Sequence, residues 1–463
     1  MHDVYCSVED ALDPTPIFPL TVSQYDVWLA RQPAWVVRWL SVSNVSFQPG
    51  RTCVVPGEDG TVHSVLVGLQ DDEDFWGVAA CLSVLPKGDY TIEKSTFASF
   101  GHWCRAHLAW GLGQYSYATF DQMGEGDVRL VIPAEMDDVP ISAMMSALCQ
   151  GRHWVNLPAN HMHPEALVDA IIAMGKSFQA RTQVIEGDAL LKKNYPAIYA
   201  VGKAGEYAPR LAIMTWGKRE HPTVCLVGKG VCFDTGGLDL KPSRAMRLMK
   251  KDMTGAAHVM TLARLIMEHR LPVHLVMMVP AVENAVSGCS YRPGDVISTR
   301  AGLSVEIDNT DAEGRLVMCD ALAAACDYAP DLVIDFSSLT GAASVALGTD
   351  IPAFYCNDEG VAEQLTRCAN AQQDPIWRMP LYQPYRSMLT SDVADGVNSS
   401  STGFAGSITA ALYLSQFIAD GTAWVHFDGT GWNHDTRPGR PKGAEMRGVR
   451  AVFDCLQKRY RHD

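Results

Sequence analysis

Apolar and polar positions change rhythm along this chain. In the first third, short apolar runs such as Thr52-Cys53-Val54-Val55 and Ser64-Val65-Leu66-Val67-Gly68 are punctuated by Pro and Gly, which predicts strands and turns. Phe97 to Trp110 is apolar with helical character, and no motif with catalytic spacing falls in this region. A boundary follows Val131-Ile132-Pro133-Ala134. Ile141 to Trp154 then predicts an amphipathic helix that stops near Asn156-Leu157-Pro158. Pro164 to Phe178 predicts a second, with Leu167, Ile171, Ile172 and Met174 on related faces.

After residue 180 strand-like runs alternate with helices. Leu211–Met214 and Val224–Val227 come first, and a helix at about Gly255–His269 precedes Val273–Val279. A helix at about Arg315–Tyr328 precedes Leu332–Phe336. Nearly continuous apolar strands separated by helices predict a mostly parallel sheet covered on both faces. The expected organisation is an α/β protein: a smaller N-terminal α/β domain over 1–134, connecting helices over 135–180, and a larger C-terminal domain over 181–463 built on that sheet. No fixed-period repeat or low-complexity tract interrupts it.

Composition narrows the functional classes. A chain of 463 residues, 47% apolar and 19% charged, has material for two or three domains with a large core. Asp plus Glu outnumber Lys plus Arg by 52 to 38, and the net charge of −14 argues against general nucleic-acid binding, although a local basic patch stays open. No run of 18 apolar residues occurs, and the first residues lack a basic-then-apolar leader pattern. The 13 cysteines are scattered from Cys6 to Cys455 without a Cys-x-x-Cys pair, as expected of free thiols in a reducing compartment. The expectation is a soluble cytoplasmic protein with no membrane partner.

Ligands in open parallel sheets bind beyond the carboxyl ends of the strands. Three segments begin there: Val227–Gly237 with Leu238-Asp239-Leu240-Lys241, Met249–Ala257, and Asn309-Thr310-Asp311-Ala312-Glu313-Gly314-Arg315. In the third, Asp311 and Glu313 are two apart, so an extended segment would send both carboxylates to one side, where they repel unless a cation intervenes. Arg315 would open the next helix, by an N-terminus suited to an anion. By spacing alone, a solvated acidic loop with a local Asp/Glu–Arg pair explains this segment equally well. Gly228, Gly230, Gly236 and Gly237 let backbone approach a ligand closely. Gly228-Lys229 lacks the upstream glycine and the Ser/Thr of a P-loop, and Val201-Gly202-Lys203-Ala204-Gly205 is best taken as a turn.

Together the three segments resemble the signature of the leucyl (cytosol) aminopeptidase family, the M17 metallopeptidases, and Asn309–Arg315 matches its most diagnostic motif throughout. The resemblance runs from about Val155–Asn160 to Met446 and includes Ile376–Leu381 and Ala405–Ala411; over the N-terminal third it is loose, as for a reduced regulatory or assembly domain. It implies a two-metal peptidase. Lys229, Asp234, Asp252 and Glu313 match the ligands of one metal, and Asp234, Asp311 and Glu313 those of the other. Lys241 and Arg315 match the catalytic residues that bind no metal: Lys241 at the developing oxyanion, Arg315 holding a bicarbonate that shuttles the proton. Met249, Ser338, Leu339 and Gly341 match the pocket for the first side chain. The implied activity is release of N-terminal residues, Leu, Met and similar apolar ones preferred, from peptides with a free amine, by a homohexamer.

The charges agree with that ligand set. Four carboxylates balance two dications, a bridging hydroxide adds one negative charge, and Lys241 and Arg315 offset it. Lys229 must be neutral to donate its lone pair. Oxygen and nitrogen ligands favour Zn²⁺, Mn²⁺ or Mg²⁺ without choosing among them. Two departures stand out: Thr254 where many relatives have glycine, and Ser338 where Thr is more usual before Leu-Thr-Gly.

Other features have plainer readings. His161-Met162-His163 opens a helix, and its histidines are expected to be exposed capping residues. Cys225, Cys232, Cys319, Cys326, Met253, Met277 and Met278 are expected to be packing. Two alternatives of different class are a non-enzymatic DNA-binding regulator, disfavoured by the net charge, and a two-metal phosphoesterase, disfavoured by Lys229 and the third segment.

Overall fold

The predicted strands of the first third pair into one sheet. In a computed structural model that describes residues 4–43, 47–117, 128–136 and 138–461, these are β1 (Tyr5–Ser7), β2 (Thr15–Leu20), β3 (Thr52–Pro56), β4 (Val62–Gly68), β5 (Gly88–Ile92) and β6 (Val128–Ile132). Their order is β1-β6-β5-β2-β4-β3, parallel throughout except for β3 against β4. Alternation along Thr52–Pro56 turns Cys53 and Val55 inward, onto Leu20, Trp28, Val36 and Leu40. The helix expected from Phe97 begins later, at Phe100, and runs to Gly113. Ser99 sets that start, because its side chain accepts from the His102 amide while Phe97 stays extended.

The chain divides into two compact units, Met1–Cys149 with Asn433–Gly443, and Gln150–Trp432 with Ala444–Asp463. The division falls inside the Asp138–Asn156 helix, within the stretch expected to be a connector. One helical run gives no compositional break there, and the return of 433–443 to the first unit is a matter of packing.

The second unit carries β7 (Arg181–Glu186), β8 (Arg210–Trp216), β9 (Thr223–Gly228), β10 (Gly230–Asp234), β11 (His274–Asn284), β12 (Val296–Ser298), β13 (Ser304–Glu306), β14 (Leu332–Ser337), β15 (Ala353–Cys356), β16 (Trp377–Arg378), β17 (Gly396–Val397) and β18 (Trp424–Asp428). The main sheet runs β16-β15-β18-β14-β9-β11-β8-β7, with β10 also on β11. Its centre, β18-β14-β9-β11, is parallel; β15 runs against β18, β8 against β11 and β7 against β8, while β16 is parallel to β15. The fold is the expected two-part α/β arrangement with a mostly parallel central sheet. Cys225, Val227, Val276, Met278 and Val333 pack with Leu316–Ala325 of the Glu313–Cys326 helix on one face. The Thr254–Glu268 helix packs against β9 and β14. Both faces are therefore covered, which is why these strands are apolar without alternation.

One feature departs from the sequence reading. Gly230–Asp234, inside the glycine-bearing segment that follows the Val224–Val227 run, is itself a strand that pairs with β11 beyond the end of β9. Lys229 is the step between the two strands, its amide donating to the Phe336 carbonyl at 3.0 Å. That step aims Lys229 off the end of the parallel sheet.

Candidate active site

Four parallel strand ends bring the site together: β9 delivers Lys229, β11 ends on Asn284, β14 leads into Ser338, and β18 ends on Asp428. Asp252 sits in the tight Met249–Met253 turn before the Thr254–Glu268 helix. Glu313 is the first residue of its helix. Two glycines are sterically required for these elements to converge. A Cβ on Gly314 would lie 2.6 Å from Lys229 Cε, and one on Gly255 would collide with the Phe336 carbonyl.

Two lysines bind four carboxylates. Lys229 Nζ lies 2.6 Å from Asp252 Oδ2 and 2.8 Å from Glu313 Oε1, and donates to the Ser338 carbonyl at 3.2 Å. Lys241 Nζ lies 2.8 Å from Asp234 Oδ2 and pairs with Asp311 Oδ1. Asp234 Oδ1 accepts from the Gly236 amide and from Asn284 Nδ2, both at 2.8 Å. Ser338 Oγ donates to Asp252 Oδ1 at 2.8 Å.

Burial and mutual repulsion dominate the electrostatics. Burial first, then the charge of Asp234, pushes the Glu313 carboxyl up to about 8 and that of Asp311 up to about 6. Burial likewise raises Asp252. Burial alone would discharge the lysines, but the carboxylates of Asp252, Glu313 and Asp234 overcome it at Lys229, and those of Asp234 and Asp311 at Lys241. The four carboxylates exceed the two ammonium groups, so the cluster has an unmet demand for cations.

The donor set fits a divalent metal. Asp234, Asp252 and Glu313 are all buried and offer carboxylate oxygens within 4.8 Å of one another. Glu313 Oε2 is buried without a hydrogen-bond partner. Hard oxygen donors with one amine suit Mg²⁺, Mn²⁺ or Zn²⁺.

The third segment is not extended as expected. Asn309 Oδ1 accepts from the Asp311 amide at 2.7 Å, closing a turn. Asn398 Nδ2 donates to the carbonyls of Asn309 at 2.6 Å and Ala312 at 3.3 Å. Asp311 thereby pairs with Lys241 and Glu313 with Lys229, so the two carboxylates take different lysines. The helix opens at Glu313, two residues before the expected start, which puts Arg315 in its first turn. Arg315 is 6% exposed and donates from Nη1 to the Asn398 carbonyl at 2.7 Å. Its Nε has no partner, and no ion pair to Arg315 occurs among the described residues.

Of the residues matched to the first-side-chain pocket, Met249 shares the turn with Asp252, and Ser338 touches it. Gly341 faces open space, since a Cβ there would meet nothing within 4 Å. Leu339 packs its side chain on the main core cluster and presents its amide to Asp428 at 3.1 Å. The capping reading holds in part: His163 caps its helix, accepting from the Ala166 amide, but is half-buried and stacked on Tyr207, whereas His161 is exposed and is not the cap. Cys225, Cys232, Cys319, Met253, Met277 and Met278 are buried, and Cys326 is half-buried. The sequence reading missed Asn284, Asn398 and Asp428, polar residues on or just after strands. Their position beyond apolar runs was the available signal.

A family model described as the cytosol aminopeptidase family, catalytic domain, matches residues 150–453, and one described as the M17 aminopeptidase, N-terminal domain, matches 15–133. A "Probable cytosol aminopeptidase" of Roseiflexus castenholzii is 40% identical over 312 residues, covering 66% of this chain and 63% of the relative. One of Pseudomonas fluorescens is 42% identical over 309 residues, 66% of this chain and 61% of the relative. The aligned part thus spans less than two thirds of these relatives. The crystal structure of the cytosol aminopeptidase from Coxiella burnetii superposes with a TM-score of 0.95 at 43% identity, covering 99% of this chain and 100% of that one. The bottromycin maturation enzyme BotP in complex with Mn superposes with a TM-score of 0.85 at 30% identity, covering 97% and 99%.

Proposed function

The chain belongs to the M17 cytosol aminopeptidase family, and from that premise we propose that it is a two-metal aminopeptidase releasing N-terminal residues, Leu and Met foremost, from peptides with a free amine. The observation that carries this reading is the buried Asp234–Asp252–Glu313 carboxylate group with Lys229 against it. Lys229, Asp234, Asp252 and Glu313 would hold one metal; Asp234, Asp311 and Glu313 the other. When bound, the metals supply Lewis acidity toward the scissile carbonyl and the attacking water. The manganese in the BotP complex makes Mn²⁺ the first metal to test, ahead of Zn²⁺ and Mg²⁺.

The chain's own groups have distinct tasks. Lys229 would hold the metal as a neutral amine, its extra proton lost to solvent, beside the carboxylates of Asp252 and Glu313 that now face it. Lys241 stays cationic and faces Asp234 and Asp311, placing a donor at the edge of the cluster for the developing oxyanion. Arg315, buried and without an ion pair among the described residues, is suited to hold an anion; bicarbonate there would carry the proton to the leaving amine. Met249, Ser338, Leu339 and Gly341 border the first side chain. Assembly as a homohexamer, a cytoplasmic location, and an assembly or regulatory role for the N-terminal unit complete the proposal. No helix among the described residues is long and apolar enough to cross a membrane.

Burying a Leu side chain favours binding by about 1.5–3 kcal/mol, whereas an Asp side chain loses hydration without a partner. A panel of dipeptides differing in the first residue is therefore expected to show fast cleavage after Leu and Met, slow cleavage after Asp, and none after acetyl-Leu. Cleavage of acetyl-Leu at a rate near that of Leu would sink the aminopeptidase reading. A preference for Asp over Leu would leave the chemistry and overturn the pocket.

A further inference from the structure

Beside the metal cluster, the segment Ser338–Gly341 is tied down by one buried carboxylate with no part in the ligand set. Asp428, at the end of β18, is 0% exposed. Its Oδ1 accepts from the amides of Leu339 at 3.1 Å and Thr340 at 3.0 Å. Its Oδ2 accepts from Thr340 Oγ1 at 2.6 Å and Ser407 Oγ at 2.8 Å. No cation lies within ion-pair distance of it among the described residues; four donors hold it instead. The donors run in one direction. Tyr355 OH bonds Ser407 Oγ at 2.8 Å, and the Ala343 amide donates to Thr340 Oγ1 at 3.3 Å. Both hydroxyls already accept, so their own hydrogens need the carboxylate.

The segment so fixed touches the cluster twice: Ser338 Oγ holds Asp252 Oδ1, and the Ser338 carbonyl holds Lys229 Nζ. We propose that Asp428 is a positioning residue that sets metal affinity and first-residue selectivity together, by locking Ser338–Gly341 against Asp252 and Lys229. It acts through that segment and touches neither metal nor peptide. This rests on the function proposed above. An amide at 428 keeps the two backbone acceptor bonds, but aims an NH₂ at two hydroxyls whose hydrogens then lack an acceptor. That loss relaxes the segment while sparing the strand.

The test uses the full chain in four variants, Asp428→Asn, Thr340→Val, Thr340→Ser and Ser407→Ala. Two quantities are read: Mn²⁺ affinity by competition with a calibrated chelator, and the kcat/KM ratio for Leu- over Ala-initiated dipeptides. Asp428→Asn and Thr340→Val are expected to weaken Mn²⁺ binding about tenfold and to level the Leu/Ala ratio, the loss of a hydrogen bond to a charged group being of that order. Ser407→Ala should do so less, and Thr340→Ser should restore both. A purely structural role would lower Tm and leave both quantities of the folded protein unchanged, which would overturn the proposal. If Asp428→Asn does not fold, Thr340→Val against Thr340→Ser decides alone. Wild-type protein that takes up none of Mn²⁺, Zn²⁺ and Mg²⁺ would sink the function reading and this one with it. Wild-type uptake with unaffected variants sinks only this one.

Discussion

Lys241→Ala and Arg315→Ala are expected to keep their metals and lose kcat, each by about 2–4 kcal/mol of transition-state stabilisation, roughly 30- to 1,000-fold. The geometry explains the separation. Lys241 Nζ stands against Asp234 and Asp311 as a competing cation, so its removal leaves those carboxylates freer for metal. Arg315 bonds the Asn398 carbonyl and no carboxylate among the described residues, so its loss takes no ligand away. The check is metal content by mass spectrometry beside steady-state hydrolysis of a leucine anilide. Stoichiometric loss of metal from either variant would reassign that residue as a ligand.

Asp252→Ala and Glu313→Ala are expected to behave in the opposite way, falling below two metals per subunit and to the activity of stripped protein. Both carboxylates contact Lys229, and both belong to the buried group that offers oxygens within 4.8 Å. Removing one leaves Lys229 with a single carboxylate neighbour and the cluster short of a donor. The effect should exceed that of Lys241 or Arg315, because the metals' Lewis acidity is lost along with a side chain. Circular dichroism of the variants guards against unfolding as the cause. Full metal content in either variant would remove that residue from the ligand set.

What could be read from the sequence follows from how each feature is encoded. The central strands were visible because β9, β11 and β14 are buried on both faces and therefore apolar without interruption. The charged cluster was visible because its residues lie in three short segments, one directly after β9 and two leading into helices. The turn at Asn309–Ala312 was not: Asn309 closes it locally, but its outer carbonyls are held by the side-chain amide of Asn398, 86–89 residues further on. Asn284 and Asp428 escaped for the same reason: an isolated polar residue ending a strand acquires meaning only when a distant loop folds onto it. β10 escaped because the glycines in and around it and its short length resemble a loop, and only pairing with Ala281–Asn284 makes it a strand. The division within the Asp138–Asn156 helix has no local signal at all.

The central claim is that hydrolysis runs on metals held by this cluster. Its most direct test is metal content by mass spectrometry, paired with leucine anilide hydrolysis on the same samples, before chelation, after a strong chelator, and after Mn²⁺ or Zn²⁺ is returned. The account predicts two divalent ions per subunit in active protein, loss of activity with loss of metal, and recovery on reloading; full activity in the stripped, metal-free sample would contradict it.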